Sequence, residues 1–150
     1  MDMQIFIHQG SKDDLNSVSE MALMLWPEGN TVHSLKKEFS IIIADEKAVI
    51  FLARKNNVNV GFAHCQVRYD YVEGTSTSPV GYLEGIFVKE EHRSYGIGTQ
   101  LIHACEEWLR EKEILEIASD TEIINSASIR FHLNNGFTEV NRIACFSKRI

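Results

Sequence analysis

Proline, cysteine and long apolar runs are all scarce in this sequence. Of its 150 residues only 2 are Pro and 3 are Cys, a composition that excludes collagen and disulfide-stapled miniproteins. The longest apolar run, Ala48–Ala53, is far below the roughly 18 residues that a membrane-spanning helix needs. The start, Met1–Gln4, has neither the basic region nor the apolar stretch of a signal peptide. We therefore expect a cytoplasmic protein with no membrane partner.

An excess of positive charge is also missing. The chain has 15 Lys and Arg against 21 Asp and Glu, which gives a net charge of −6. Proteins that bind nucleic acid usually carry a basic patch for the phosphates, so we expect no nucleic-acid partner. An acidic surface raises the local concentration of cations, although solubility alone also explains mild acidity.

The sequence shows no metal-binding pattern. Cys65, Cys105 and Cys145 are far apart and form no Cys-x-x-Cys pair, and His64 beside Cys65 has no second pair to complete a zinc site. We expect no metal, and we expect the thiols to be reduced and buried, as is usual in the cytosol.

The remaining composition is that of one ordinary globular domain. The residues are 44% hydrophobic and 24% charged, and no internal repeat or flexible linker divides the chain. A chain of this length buries roughly 70% of its unfolded surface, which is enough for one core. We therefore assign residues 1–150 to a single domain.

Hydrophobic periodicity and turn signals predict a mixed α/β domain with the element order β-α-α-β-β-β-α-β-α-β. Ser11 is placed to cap the first helix in a capping box with Asp14, and Trp26-Pro27 ends that helix. The predicted strands are Gln4–His8, Ala48–Arg54, Val58–Tyr71, Val80–Val88, Glu116–Asp120 and Thr138–Lys148. Four helices are predicted. The first ends near Leu25 and the second spans Val32–Ile42. The third carries apolar positions from Ile97 to Leu109, and the fourth lies between Asn125 and Gly136.

The segment Arg93-Ser94-Tyr95-Gly96-Ile97-Gly98 lies between a predicted strand and a long helix. Glycines permit a tight turn and the close approach of backbone amides to a ligand. A helix N-terminus adds free N–H groups and the positive end of the helix dipole, so the segment is a candidate pyrophosphate cradle. It lacks the Gly-Lys-Ser/Thr of a Walker A loop, and taken alone it fits a structural turn equally well.

The chain resembles the GCN5-related N-acetyltransferase (GNAT) superfamily over nearly its whole length. Arg93, Gly96 and Gly98 fill the pattern Arg/Gln-x-x-Gly-x-Gly/Ala, and Asn125, Phe131-His132 and Gly136-Phe137 match its second region. The resemblance implies an α/β (α+β) domain with a mixed, mostly antiparallel sheet, splayed central strands and flanking helices. It also implies an acetyltransferase that uses acetyl-CoA. The residues that it places on acetyl-CoA are Ile86, Phe87, Val88, Arg93, Ser94, Tyr95, Gly96, Ile97, Gly98, Thr99, Asn125 and His132.

A narrower resemblance is to aminoglycoside 6′-N-acetyltransferases, which acetylate the 6′-amine of these antibiotics. It implies antibiotic resistance, a cationic small-molecule substrate and, because such relatives are commonly homodimers, a homodimer. The segments that carry it are Leu25-Trp26-Pro27, Asp70-Tyr71-Val72, Ser78-Pro79-Val80, Leu83-Glu84-Gly85-Ile86-Phe87-Val88 and Ala118-Ser119-Asp120-Thr121.

Glu84 and Asp120 are the candidate catalytic and amine-binding residues. An alkylamine with a pKa of about 10.4 is mostly protonated at neutral pH, so the site must bind a cation and then remove a proton. The two acids lie near the ends of neighbouring predicted strands, and Gly85 suggests either a bulge or a close backbone approach that re-aims Glu84. An isolated acid in such a strand is usually edge-facing or ion-paired. The resemblance places substrate-binding acids at both positions, and we expect Glu84 to assist deprotonation through water.

Trp26 and Tyr71 are the candidate aromatic walls of the amino-sugar site. Aromatic residues near the ends of helices and strands usually pack in the core or at its rim. Both, however, lie in segments that match the narrower branch, and the resemblance therefore implies that they contact the substrate.

We expect direct attack of the amine in a ternary complex, with a backbone N–H near Val88 polarising the thioester carbonyl. Many GNAT enzymes carry a Tyr where this chain has His132, and the branch commonly has a Tyr near Phe146. His132 is either a proton donor or a packed helix residue. A thiol with a pKa of about 8.5 also leaves as an anion without help. An acetyl-cysteine route has no recognisable base beside any cysteine.

Two other functions fit the same residues. One is a GNAT enzyme that acetylates another amine, such as a polyamine or a peptide N-terminus, because acidity suits any polycation. The other is an acetyl-CoA-binding sensor without turnover, to which the residue at His132 points weakly. A screen of amine substrates tests the first alternative, and release of CoA tests the second.

Overall fold

The computed structural model describes residues 4–150 and shows five strands and four α-helices in that part of the chain. The strands are β1 (Phe6–Gln9), β2 (Ala48–Lys55), β3 (Val58–Arg68), β4 (Val80–Val88) and β5 (Ile117–Ser119). The helices are α1 (Leu15–Leu25), α2 (Val32–Ala44), α3 (Ile97–Glu111) and α4 (Ser126–Asn134). Residues 1–3, on which the signal-peptide prediction partly rests, lie outside the described residues.

The strands form one sheet in the order β1-β2-β3-β4-β5. Neighbouring strands are antiparallel except β4 and β5, which are parallel, so the predicted mixed, mostly antiparallel sheet is confirmed. Ile50 and Leu52 of β2 pack with α1 and α2, whereas Val49 and Ala53 pack with α3. This alternation of side chains places helices on both faces of the sheet.

The predicted capping box of Ser11 and Asp14 is present, and it begins a 3₁₀ turn (Lys12–Asp14) that leads into α1. In this box the Ser11 N–H donates to the Asp14 carboxylate at 2.9 Å. A second capping box joins Thr31 and Ser34 at the start of α2. Each box satisfies backbone donors that a helix N-terminus otherwise leaves unpaired.

β4 has two partners along its first half and one along its second. Gly81–Leu83 pair with β5, which ends at Ser119. From Gly85 to Val88, β4 pairs with β3 alone. The edge of this second half is therefore open, which confirms the predicted splaying of the central strands.

A β-bulge lies at the point where the two halves of β4 meet. Cys65 of β3 lies opposite Leu83, whereas His64 lies opposite Gly85. Glu84 is therefore the extra residue, without a partner on β3, and a residue in this position points differently from its neighbours. The bulge inferred from Gly85 is confirmed.

The predicted last strand, Thr138–Lys148, is wrong. Residues 138–150 are exposed and pair with no strand within residues 4–150. Val140 packs against Gly74, and the Asn141 amide donates to Glu73 at 3.3 Å. A strand needs a neighbouring edge for its backbone groups, and an apolar pattern alone does not supply that edge.

Two smaller predictions also need correction. β3 ends at Arg68 rather than Tyr71, because β4 begins at Val80 directly opposite Arg68 and later residues have no partner. Cys145 is exposed, because it lies on the unpaired C-terminal segment, whereas Cys65 and Cys105 are buried as expected.

Within residues 4–150, no helix is long and apolar enough to span a membrane. The same residues contain no group of three or more His, Cys, Asp or Glu side chains placed to hold a metal ion.

Candidate active site

The open half of β4 turns backbone groups outward at two residues. The Lys89 N–H donates to the Val60 carbonyl at 2.8 Å, and this bond sets the alternation of the antiparallel ladder. Phe87 consequently directs its backbone groups toward β3, whereas Ile86 and Val88 direct theirs to the open edge. An extended ligand can pair with such an edge as an added strand does.

The loop before α3 adds further free donors at the end of this edge. Ser94 and Gly96 have positive φ angles of 68° and 79°. The backbone N–H groups from Gly96 to Thr99 donate to no group within residues 4–150, as is usual for a helix N-terminus. A Cβ at Gly96 would meet nothing within 4 Å. The loop is thus an accessible anion site of the kind that binds phosphate.

The other residues predicted for the phosphate-binding loop differ in their contacts and exposure. Arg93 donates from Nε to the Val88 carbonyl at 2.7 Å and so ties the loop to β4. A Cβ on Gly98 would lie 2.7 Å from the Phe131 ring, so this glycine allows α3 to pack against α4. Tyr95 is exposed and Thr99 is half-buried, and Ile97 is buried in the core.

His132 lies where β4 and β5 separate, and its tautomer is defined. Nδ1 is 2.7 Å from the Ser128 carbonyl, so it carries the proton, and Nε2 accepts from the Ser119 hydroxyl at 2.8 Å. Neutral His132 has no N–H left for a ligand. The geometry favours the packed alternative over the proton donor. Asn125 uses its carbonyl to cap α4 through the Ser128 N–H at 3.0 Å, which leaves its amide N–H groups available.

Glu84 is ion-paired rather than free. The Arg68 guanidinium donates from Nε to Oε1 at 2.9 Å and from Nη2 to both carboxylate oxygens at 2.7 and 2.8 Å. The Glu84 side chain is 25% exposed and that of Arg68 is 39% exposed. The carboxylate is therefore accessible at one side while the other is held by a planar, charged fork.

The second acid joins the same network. The Tyr82 hydroxyl donates to Asp120, and the Arg68 guanidinium stacks on the Tyr82 ring at 3.6 Å from its centre. Burial, followed by the bond to Asp120, raises the pKa of Tyr82, which keeps this hydroxyl a hydrogen-bond donor. The contact between Arg68 and the Tyr82 ring thus brings the Glu84 ion pair and the Asp120 hydrogen bond into one cluster.

Arg68 and Tyr82 were missed by the sequence analysis. Tyr82 lies two residues before Glu84 in a predicted strand, a spacing that puts two side chains on one face. Arg68 lies on β3, and its contact with Glu84 depends on strand pairing and on the bulge. Tyr82 could have been found from its spacing to Glu84, whereas Arg68 could not be found in this way.

Trp26 reaches this site because Gly85 has no side chain. A Cβ on Gly85 would lie 2.5 Å from the Trp26 indole, so the ring rests directly on the β4 backbone beside Glu84. Its other face meets Phe62 edge-on, with ring centres 6.4 Å apart. Trp26 is 37% exposed, which leaves an aromatic surface next to the carboxylate.

Tyr71 lies apart from these residues in the loop between β3 and β4. It is 83% exposed, and its hydroxyl donates to Glu73 at 2.7 Å, which raises the pKa of Tyr71. Glu116 anchors the same loop by accepting from the Ser76 and Thr77 amides at 3.0 and 2.7 Å. Within residues 4–150, Tyr71 makes no side-chain bond to Glu84 or Asp120.

Two of the three cysteines are poorly placed for covalent catalysis. Cys65 on β3 and Cys105 on α3 are buried in the core. The bond to Cys65, followed by burial, raises the pKa of the Cys105 thiol. A thiol that resists ionisation is a weak nucleophile. The geometry therefore favours direct transfer over an acetyl-cysteine.

Comparison with known proteins covers the whole of this site. The acetyltransferase (GNAT) family matches residues 15–137. The chain is 34% identical over 144 residues to the aminoglycoside N(6′)-acetyltransferase type 1 of Acinetobacter haemolyticus, a match that covers 96% of this chain and 98% of that protein.

Solved structures agree with the sequence comparison. The structure of the aminoglycoside N-acetyltransferase AAC(6′)-Iy in complex with CoA matches at a TM-score of 0.95 and 34% identity, covering 100% of this chain and 98% of that chain. AAC(6′)-Iy in complex with the bisubstrate analogue CoA-S-monomethyl-acetylneamine matches at a TM-score of 0.93 and 34% identity, with 98% and 99% of the chains covered.

Proposed function

This chain belongs to the acetyltransferase (GNAT) family, and on that premise we propose that it transfers acetyl from acetyl-CoA to the 6′-amine of aminoglycosides. Such transfer removes a positive charge from the antibiotic and so confers resistance. One observation carries the proposal. The open edge of β4 leads from the phosphate-binding loop directly to Glu84, where Asp120 also lies, so a thioester on that edge would meet an amine held by the acids.

The open edge and the loop fit acetyl-CoA. The free N–H groups from Gly96 to Thr99 would hold the pyrophosphate. Ile86 and Val88 would pair with the amides of the pantetheine arm. The amide N–H groups of Asn125 would donate to the same arm from the opposite side of the opening.

Glu84 and Asp120 would bind the cationic amino-sugar and Trp26 would contact its apolar face. A carboxylate that already accepts from Arg68 or Tyr82 keeps lone pairs for an ammonium group. Sugar rings pack against indole surfaces through their C–H groups. Tyr71 would contact a more distant ring of the antibiotic, because it lies in the exposed loop.

The reaction follows from these positions. Glu84 accepts the amine proton through water, and the neutral nitrogen attacks the thioester carbonyl carbon. The Ile86 N–H, which faces the open edge two residues from Glu84, stabilises the oxygen that becomes negative, as an oxyanion-hole donor does. The C–S bond then breaks, the nitrogen of the new amide gives up its second proton to water, and CoA leaves as its thiolate, which with a pKa of about 8.5 needs no proton from His132.

A thiol-release assay tests the function. Acetyl-CoA with tobramycin or kanamycin is expected to release CoA, whereas spermidine and a basic peptide are expected to release far less. Turnover with the peptide or polyamine alone would indicate a different amine substrate. Tight binding of acetyl-CoA without any CoA release would indicate a sensor.

Substitution of the acids tests the site. We expect Glu84→Gln and Asp120→Asn each to lower kcat/KM by roughly 10²–10⁴-fold, the range for acid–base groups. Glu107→Gln is the matched control, because Glu107 pairs with Arg110 on the exposed face of α3. Parent-like rates for both active-site variants would contradict the assignment.

We further propose that the protein is a cytoplasmic homodimer. The cytoplasmic assignment follows from its use of acetyl-CoA, a cytoplasmic metabolite. The C-terminal segment supports the dimer, because Ile143 and Phe146 are 76% and 94% exposed there. Light scattering is expected to give twice the mass of one chain, and Phe146→Glu is expected to shift it to the monomer. A monomeric parent would refute the dimer.

A further inference from the structure

Arg68 is a cation inside a site that binds a cation. It holds Glu84 at 2.7–2.9 Å, and its guanidinium carbon lies 3.6 Å from the centre of the Tyr82 ring, whose hydroxyl donates to Asp120. The reaction described above gives it no part. A simple carboxylate pair would bind ammonium groups more strongly without it, so its presence requires a reason.

We propose that Arg68 is a positioning residue for deprotonation of the amine. It fixes the Glu84 carboxylate in one orientation, and it places a permanent positive charge beside the amine that favours the neutral, nucleophilic form. This inference rests on the proposed function and adds to it a residue that controls when the bound amine becomes reactive.

The first part of the proposal follows from the bulge. Glu84 is the extra residue on β4, so its side chain lacks the regular neighbours that fix other strand residues. Two parallel N–H···O bonds from a planar guanidinium fix both position and plane of a carboxylate. The Tyr82 ring packs against the guanidinium. The free side of Glu84 therefore stays directed to the open edge of β4.

The second part follows from charge. A like charge nearby disfavours the protonated form of an amine, because two cations then repel. Glu84 and Asp120 favour the protonated form and so help binding. Arg68 offsets part of that effect. With Arg68 present, the site retains a carboxylate to bind the ammonium group but holds the proton of the amine less tightly.

Other titratable groups face the same place and must be separated from Arg68. Glu84 and Tyr82 lie on β4, Asp120 follows β5, and His64 lies on β3 with Glu38 of α2 close to it. Burial lowers the pKa of His64, although Glu84 opposes this change. The His64 Nε2 atom is buried and has no hydrogen-bond partner among residues 4–150.

The decisive measurement is the pH dependence of kcat with tobramycin as the amine. In Arg68→Met, the rising limb of kcat is expected to move to higher pH by about one unit, the lower bound for a neighbouring charge. At neutral pH kcat then falls roughly tenfold, the fold-change that corresponds to one pH unit. The KM for tobramycin stays constant or falls, and the rate at alkaline pH rises only to that of Arg68→Lys, because both variants lack the planar fork.

Arg68→Lys separates the two roles. Lysine keeps the charge but not the planar fork, so its rising limb should stay at the parent pH while kcat falls at every pH. Full kcat in Arg68→Lys would overturn the orienting role. This variant tests the proposal even if Arg68→Met fails to fold. Arg110→Met is the control, because it removes an exposed Arg–Glu pair on α3.

Three outcomes would overturn the proposal. If the rising limb of kcat in Arg68→Met stays at the parent pH while kcat is lower at every pH, Arg68 has a structural role only. The same limb shift in His64→Gln would assign the effect to His64. A parent without activity on any aminoglycoside would refute the proposed function and this inference with it, whereas an active parent with an unmoved limb would refute this inference alone.

Discussion

The two halves of β4 belong to one strand but have different neighbours. Val80–Leu83 are buried, with β3 on one side and β5 along Gly81–Leu83 on the other. Glu84–Val88 are mostly half-buried, and one of their edges has no strand. The bulge at Glu84 marks the change from one half to the other.

The difference shows how a sheet can supply both rigidity and chemistry. The first half satisfies its backbone groups inside the protein and anchors the core. The second half keeps the same extended geometry through β3 but leaves N–H and C=O groups for a ligand. Substitutions that act on one half should therefore change stability, and those that act on the other should change catalysis.

After substitution of the two acids, the largest effect is expected from Ile86→Pro. Proline removes the N–H that faces the open edge and costs no bond to β3. Loss of one oxyanion-hole donor lowers kcat on the order of 10²–10³-fold. The measurement is kcat at saturating acetyl-CoA, with Ile86→Ala, which keeps the N–H, as control. An Ile86→Pro enzyme as active as Ile86→Ala would show that this N–H has no catalytic role.

Gly81→Ala should act on stability instead. A Cβ there would lie 2.3 Å from Leu109, which is 2% exposed and has little room to move. Overpacking of this kind lowers the free energy of unfolding by about 1–3 kcal/mol. Thermal or urea unfolding measures the loss, while KM values of the folded fraction stay near those of the parent. An equally stable variant would contradict the tight packing of the closed half.

Gly85→Ala is the counterpart in the open half. Its Cβ would lie 2.5 Å from the Trp26 indole, and that ring is exposed enough to swing outward. We expect the KM for aminoglycosides to rise roughly tenfold, or about 1.4 kcal/mol, with a smaller loss of stability than in Gly81→Ala. Steady-state kinetics measures the change, and Trp26→Ala should reproduce it. An unchanged KM in both variants would remove Trp26 from the substrate site.

The smallest effect is expected from Glu116→Gln, just before β5. The Thr77 hydroxyl and the Ser76 and Thr77 amides lower the pKa of Glu116. A lowered pKa in the folded state stabilises the protein above the ordinary glutamate pKa of about 4.3, and the effect is lost as pH falls through the lower folded value. The parent should therefore melt slightly above Glu116→Gln at neutral pH but not in acid. A difference that persists in acid would contradict this origin.

Local signals predicted most elements of the fold. β4 was predicted at its observed bounds, and the Ser11–Asp14 capping box was predicted with both its bonds. These features depend on residues close together in sequence, where steric and hydrogen-bonding preferences act directly. The same holds for the glycine loop, in which Gly96 takes its positive φ without regard to distant residues.

Predictions failed where the partner of a residue lies elsewhere in the chain. The segment after Thr138 has the apolar pattern of a strand, yet no edge within residues 4–150 receives it. Gly98 was explained by ligand approach, whereas it also makes room for Phe131 of α4. Arg68 was overlooked because only the pairing of β3 with β4 brings it to Glu84.

By itself, the sequence determined most of the strands and helices and the loop with its free amides. Those features follow from spacing and from backbone preferences over a few residues, whereas the two acids were predicted only with the help of the family resemblance. The tertiary structure alone decided that β4 is open beyond Leu83, that Glu84 is the residue in the bulge, and that Arg68 holds it. The physical reason is that strand register is set by the packing of distant segments, and one shifted residue changes which side chains meet.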